Sequence, residues 1–402
     1  MNRFKRKTDM TRSQHRKALF ALCSTLLGAV ALAGQAAAQP DASRPQPRSG
    51  ANPSPFDQQE NVAAKQADAW FENYRFRNGE TLARLRIHYA TLGSTHRDAR
   101  GDIDNAVLVL HWTGADSRVL LTPTYMQALF DAGRPLDAHR YYLIFPDNVG
   151  HGQSSKPSDG LKAGFPNYGY GDIVDLQHRL VTETLGIKHL HAILGLSMGG
   201  MNVWQWAEAY PDAVDGVMPV VSLPIKVSGR NMLWRRMVID DIRSDPEWNG
   251  GNYSKQPGSL VRGYQLGLMM IDGVPHLQAL LPDAAAADHF IDDARKQAES
   301  VDANNLLYSL KSSADYDPEP GLASIKTKVY ALNFSDDEFN PEELHVLERL
   351  MPQVRHGRFV VQPGSATSYG HLTMAHPDLW AKHVAEFMRE LGDASPRGSK
   401  AE

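Results

Sequence analysis

The chain holds a single cysteine, Cys23, among 402 residues, and that cysteine sits in an uncharged N-terminal run from Ala18 to Gly34. Once that run is removed, neither disulfide scaffolding nor thiol chemistry is open to the remainder, and folding must rest on core burial. The 16 histidines are scattered, with no HExxH pattern and no cysteine partner, so no metal-ligand spacing is present. A glycine-rich phosphate loop opening a helix is also missing. The expectation is chemistry without a metal or a cofactor. Positive charge is scarce as well. Without residues 1–38 the chain carries 35 Lys and Arg against 45 Asp and Glu, a formal charge of −10. Such an acidic surface disfavours nucleic acid as a partner.

The N-terminus departs from this acidic balance. Arg3, Lys5, Arg6, Lys7, Arg12, Arg16 and Lys17 precede the uncharged run, which ends in Ala36-Ala37-Ala38. A basic head, a short apolar middle and small residues at the exit make residues 1–38 a signal peptide, with a periplasmic or secreted product and no stable membrane anchor after cleavage. No small residue directly precedes Cys23, which argues against lipidation there. Residues 39–66 follow as a flexible linker, because Pro40, Pro45, Pro47, Pro53 and Pro55 stand among polar residues with little to bury.

Short apolar runs then alternate with helix-like segments. Strands are expected at Leu85 to Tyr89, Ala106 to His111, Tyr141 to Phe145, Leu190 to Leu194, Gly216 to Val221, Lys328 to Leu332 and Arg358 to Val361. Helices are expected at Tyr170 to Leu185, Met198 to Tyr210, Pro341 to Met351 and Pro377 to Leu391. Continuously apolar strands separated by helices predict an α/β fold, a mostly parallel central sheet covered by helices on both faces. The rhythm breaks over 223–322, which is helix-rich and contains Trp234, Trp248, Tyr253 and Tyr264. That stretch reads as a helical lid inserted into a core made of residues 67–222 and 323–395.

Gly195-Leu196-Ser197-Met198-Gly199 sits at the junction of an expected strand and an expected helix. A serine between glycines in that place has the form of a nucleophile elbow, where small neighbours permit a sharp turn that lifts the hydroxyl clear. A serine needs a histidine to take its proton and a carboxylate to orient that histidine. His371, in a loop after the last expected strand, can accept the proton. His376, just before Pro377, suits a turn or cap instead. Asp337, four residues before Pro341, is the preferred acid and Asp336 the alternate, the unchosen one being expected as a solvated helix cap. The amides of Met198 and Trp112 are the expected oxyanion donors. His151, in the turn Pro146 to Ser155, reads as a hydrogen-bonded scaffold residue. Arg230 and Trp234, with Arg235 and Arg236, are candidate substrate contacts or else a charged outer face of a lid helix.

Further segments stand out along the chain: Asn105 to His111 with Thr113-Gly114, Ser197 to Met201, Tyr210-Pro211-Asp212, Asp245 to Tyr253 and Asp302 to Tyr308. Through them the chain, over about residues 71–391, resembles the homoserine O-acetyltransferase-like branch of the α/β-hydrolase superfamily. The resemblance implies an α/β-hydrolase fold, a lid over a deep tunnel, double displacement through an acyl-serine, and relatives that form dimers through the lid. Two departures stand out. In that family the reactive histidine is commonly followed by an aspartate facing the substrate's amino group, and here Leu372 follows His371. Gly150 to Pro157 also replaces a segment rich in glycine, serine and threonine. With export separating the chain from cytoplasmic acetyl-CoA, the expectation is a serine hydrolase that cleaves a small carboxylic ester. The alternatives are an acyltransferase that passes the acyl group to an alcohol, and a non-catalytic binding protein on the same fold.

Overall fold

A computed structural model describes residues 63–392. The expected signal peptide, Cys23, most of the linker and residues 393–395 lie outside them. The linker expectation fails at its end, because Lys65 and Gln66 already belong to strand β1 (Lys65–Arg75), which the sequence reading missed. Its register against β2 (Thr81–Leu92) is antiparallel, from Lys65 opposite Thr91 to Arg75 opposite Thr81. Only Ala69, Phe71 and Tyr74 of β1 are buried, so this edge strand lacks the apolar run that marks the inner ones.

The remaining strands are β3 (Ala106–Leu110), β4 (Tyr142–Pro146), β5 (Leu190–Leu196), β6 (Val214–Val220), β7 (Lys328–Phe334) and β8 (Gly357–Gln362). They form one eight-stranded sheet in the order β1-β2-β4-β3-β5-β6-β7-β8. β2 pairs antiparallel with β4, and every pairing from β4 through to β8 is parallel. Alternate residues serve opposite faces, as the pleat requires. Leu108, Leu110, Ile144 and Ile193 enter one core cluster, whereas Val107, Val109, Leu143, Phe145 and Leu194 enter the other. Each such side chain contributes about 1.5–3 kcal/mol on burial.

Helices α1 (Tyr170–Arg179) and α2 (Met198–Ala209) flank the sheet. Beyond Arg179 the expected helix continues only as a wider π turn, Leu180–Thr184. Between β6 and β7 run α3 (Gly229–Ser244), α4 (Ser259–Ile271), α5 (Val274–Leu280), α6 (Ala284–Ala298) and α7 (Ala303–Lys311). Two of the segments that carry the family resemblance brace this region. Trp248 Nε1–H donates to Asn304 Oδ1 at 2.9 Å, and the Tyr253 hydroxyl to Asp302 Oδ2 at 2.8 Å.

Two expected helices are shorter than the sequence suggested. His345 adopts φ 47° and splits the first into a 3-10 turn, Glu342–Leu344, and α8 (Val346–Leu350). In the second, Trp380 leaves helical geometry to bury its indole, which donates to the Thr373 carbonyl at 3.1 Å. Helix α9 therefore begins at Ala381 and ends at Leu391.

The sheet order places the reactive end. The chain leaves β3 for β4 on one side and then takes β5 on the other side of β3, so the loops after β3 and β5 diverge. In open α/β sheets a crevice forms at the carboxyl ends of strands at such a reversal.

Candidate active site

Ser197 follows β5 and opens α2 with φ 53° and ψ −111°, a backbone region costly for any residue but glycine. Glycines around it make room. A Cβ on Gly195 would lie 2.2 Å from the Gly199 carbonyl oxygen, one on Gly199 2.5 Å from that of Leu110, and one on Gly200 2.6 Å from Ser222 Oγ. The Ser197 amide donates to the Val220 carbonyl at 3.0 Å, tying the turn to the end of β6.

His371 lies in a 3-10 turn after β8, Gly370–Ala375, entered through Gly370 at φ 56°. A Cβ on Gly370 would come within 2.7 Å of the Gly273 amide nitrogen, so only glycine lets this loop close against the lid. The structure brings the expected residues together. His371 Nε2 is 2.8 Å from Ser197 Oγ, and His371 Nδ1 is 2.8 Å from Asp337 Oδ2. Asp337 is 1% exposed. Its Oδ1 accepts from the Phe339 amide at 2.9 Å and the Asn340 amide at 3.2 Å, and its Oδ2 also accepts from Asn340 Nδ2 at 2.8 Å. Such an acceptor array holds the carboxylate in one orientation.

Asp336 contacts neither His371 nor the turn that follows Pro341, which corrects both roles weighed for it. Its Oδ2 accepts from the Ser368 hydroxyl at 2.6 Å and the Gly370 amide at 3.2 Å, so it tethers the loop that carries His371. His376 stacks on Tyr369 with ring centres 3.9 Å apart, and His276 meets the same Tyr369 at 4.6 Å. His151 is buried scaffold: its Nδ1–H donates to the Val149 carbonyl at 3.1 Å and its Nε2 accepts from the Ser309 hydroxyl at 2.9 Å. Burial, first, and the nearby His111 push its pKa down to about 3, so the ring stays neutral.

An apolar cavity adjoins Ser197 and His371. Trp112 and Met201 from the core and Trp234, Leu268 and Ile271 from the lid line it, together with Phe339 and Met374. Met198 is fully buried at the start of α2, where its amide has no intrahelical acceptor. Arg230 is displaced from this cavity. It forms an ion pair with Glu338 and borders a neighbouring groove that shares Met201, Asn231, Phe339 and Asn340 with the first. Arg235 does line the Ser197 cavity, with Nε bonded to Asn231 Oδ1 at 2.9 Å. Among the described residues no carboxylate lines that cavity, and Leu372 is buried in the core beside it. Sequence reasoning missed Asn340, which clamps Asp337 to the Val221 carbonyl at 2.9 Å. Its place three residues after the acid was the available signal.

A doubly flanked parallel sheet with a serine, a histidine and an acid at its carboxyl edge defines an α/β hydrolase. The family profile for the alpha/beta hydrolase fold matches residues 107–262. A homoserine O-acetyltransferase of Haemophilus influenzae is 30% identical over 314 residues, covering 68% of this chain and 85% of that protein. The crystal structure of a homoserine O-acetyltransferase from Bacillus anthracis superposes with a TM-score of 0.72 at 22% identity, over 84% of this chain and all (100%) of that one. An acetylester hydrolase from Corynebacterium glutamicum gives 0.70 at 22% identity, over 81% and 95%. The chain belongs to the α/β-hydrolase superfamily, in its homoserine O-acetyltransferase-like branch.

Proposed function

We propose that the chain transfers a short acyl group through an ester formed on Ser197. The observation that carries this reading is the unbroken path from Ser197 Oγ through His371 to Asp337, with both contacts at 2.8 Å, beside an apolar cavity. Ser197 Oγ attacks the acyl carbon while His371 Nε2 takes the hydroxyl proton, and Asp337 steadies Nδ1–H. The Met198 and Trp112 amides receive the oxyanion. The leaving oxygen departs with the proton from Nε2, and an incoming O–H repeats the sequence in reverse.

The names of the sequence relatives favour an alcohol as acceptor over the water expected from sequence alone. The cavity narrows that choice. With no carboxylate among the described residues of its lining, the ammonium group of an amino-acid alcohol such as homoserine finds no counter-charge there, so the proposed acceptor is an uncharged alcohol. The same acid-free lining supports a second reading, hydrolysis, in which water takes that place. Acetyl, the acyl group in the names of these relatives, is the proposed unit. Export, read from residues 1–38, is also proposed; it separates the chain from cytoplasmic thioesters and makes an oxygen ester the donor.

Product analysis tests the reading. With an acetyl ester and a competing uncharged alcohol, acylated alcohol is expected to exceed free acid, and added homoserine to leave the ratio unchanged. Free acid at every alcohol concentration favours hydrolysis. Turnover retained in Ser197→Ala, or no labelling of Ser197 by a fluorophosphonate, sinks both readings.

A further inference from the structure

We propose that His111 is a positioning residue for the oxyanion loop, an inference that rests on the acyl-serine reading above. His111 is fully buried and does not border the Ser197 cavity, whereas the next two residues, Trp112 and Thr113, both do. The backbone amide of Asn148 donates to His111 Nε2 at 3.1 Å. That nitrogen therefore carries the lone pair, and Nδ1 carries the proton and donates it to the Trp112 carbonyl at 2.9 Å. The Ala115 amide donates to the same carbonyl at 3.2 Å. In a trans peptide the carbonyl and the following N–H point to opposite sides. Anchoring the Trp112 carbonyl thus sets the plane that bears the Thr113 N–H and limits rotation of the Trp112 amide one residue before it.

The anchor is itself held from behind. The Asn148 amide belongs to the turn that His151 closes by donating to Val149, and His151 accepts from Ser309 on α7. The rings of His111 and His151 are 5.3 Å apart. A hydrogen-bonded line thus runs from the lid helix, through two histidines and the 148–151 turn, to the loop that faces Ser197. Simple core packing would require only an apolar group of similar size at 111. The two directed bonds on opposite ring nitrogens fit the positioning role.

The test is the preference for an oxygen ester over the matching thionoester, in which sulfur replaces the carbonyl oxygen and fits oxyanion donors poorly. In the full chain, His111→Leu is expected to lower kcat with little change in KM and to shrink the oxo-to-thiono ratio by about 10- to 100-fold. His111→Asn, which keeps a side-chain donor, is expected to restore part of that ratio. A leucine variant that keeps the parent's ratio overturns the proposal, even if its kcat falls. Should that variant not fold, His111→Gln serves instead, and an unchanged ratio there overturns it equally. A parent chain that shows no preference, or that a fluorophosphonate does not label at Ser197, counts against the acyl-serine reading instead.

Discussion

Replacing Asp337 by asparagine separates the two acids more sharply than any other single change. Oδ1 of Asp337 accepts two backbone amides, from Phe339 and Asn340, and Oδ2 accepts from His371 Nδ1 and Asn340 Nδ2. Asparagine has one oxygen to offer. Set toward the backbone, that oxygen keeps both amides satisfied and turns the NH2 group toward His371. Two donors then face each other, and the imidazole relieves the conflict by moving its proton to Nε2. In that tautomer His371 donates to Ser197 and can no longer accept its proton. The corresponding change in a serine protease lowers kcat about 10⁴-fold, a rise of about 5.5 kcal/mol in the barrier, and a loss of that order is expected here. KM should change little, because Asp337 does not line the cavity. Asp336→Asn provides the contrast. Its amide oxygen can still accept from Ser368 and Gly370, and its NH2 group replaces Oδ1, which is buried without a partner. Its kcat should stay within about tenfold of the parent. Steady-state turnover of a short p-nitrophenyl ester measures both variants. An Asp337→Asn enzyme within tenfold of the parent, beside an Asp336→Asn enzyme reduced a thousandfold, would refute the assignment.

Three further outcomes are expected. Gly199→Ala pushes a methyl to 2.5 Å from the Leu110 carbonyl oxygen and 2.8 Å from that of His111, so thermal unfolding should show a loss of about 1–3 kcal/mol with much of the activity gone; an unshifted melting temperature contradicts the packing argument. Trp234→Ala removes a wall of the Ser197 cavity, and the ratio of kcat/KM for hexanoyl over acetyl esters should rise by about tenfold or more. Burial, and then the negative charge of Asp317, push the Glu208 carboxyl up to about 7 from 4.5. A raised carboxyl is no handicap below the unfolded value, becomes one as pH climbs from 4.5 to 7, and remains one above. Glu208→Gln should therefore melt higher than the parent at pH 8.5, and the gap should close by pH 4.5; a gap equal at both pH values removes the explanation.

The inner strands were legible because a parallel sheet buried on both faces demands near-continuous apolar runs; β3 is wholly apolar, and in β5 His191 is the one polar side chain. β1 was not, because its exposed positions outnumber its buried ones and its pairing with β2 exists only in three dimensions. The break at Trp380 escaped for a related reason, since it follows from how that indole settles in the folded core, which local propensity does not record; at His345, whose side chain is exposed, a left-handed backbone ends the 3-10 turn and opens α8.

Ser197, its glycines and the chain order of serine, acid and histidine were set out by sequence alone, since a tight strand-to-helix turn tolerates few residue types at those places. Tertiary structure decided which of two adjacent carboxylates reaches His371. Neighbours along a chain point in different directions, so Asp337 meets the imidazole while Asp336 turns to Ser368 and Gly370. It also decided that Arg230 faces a separate groove while Trp234 walls the Ser197 cavity, because the packing of the lid on the core, and not the spacing of residues within a lid helix, determines what a side chain confronts.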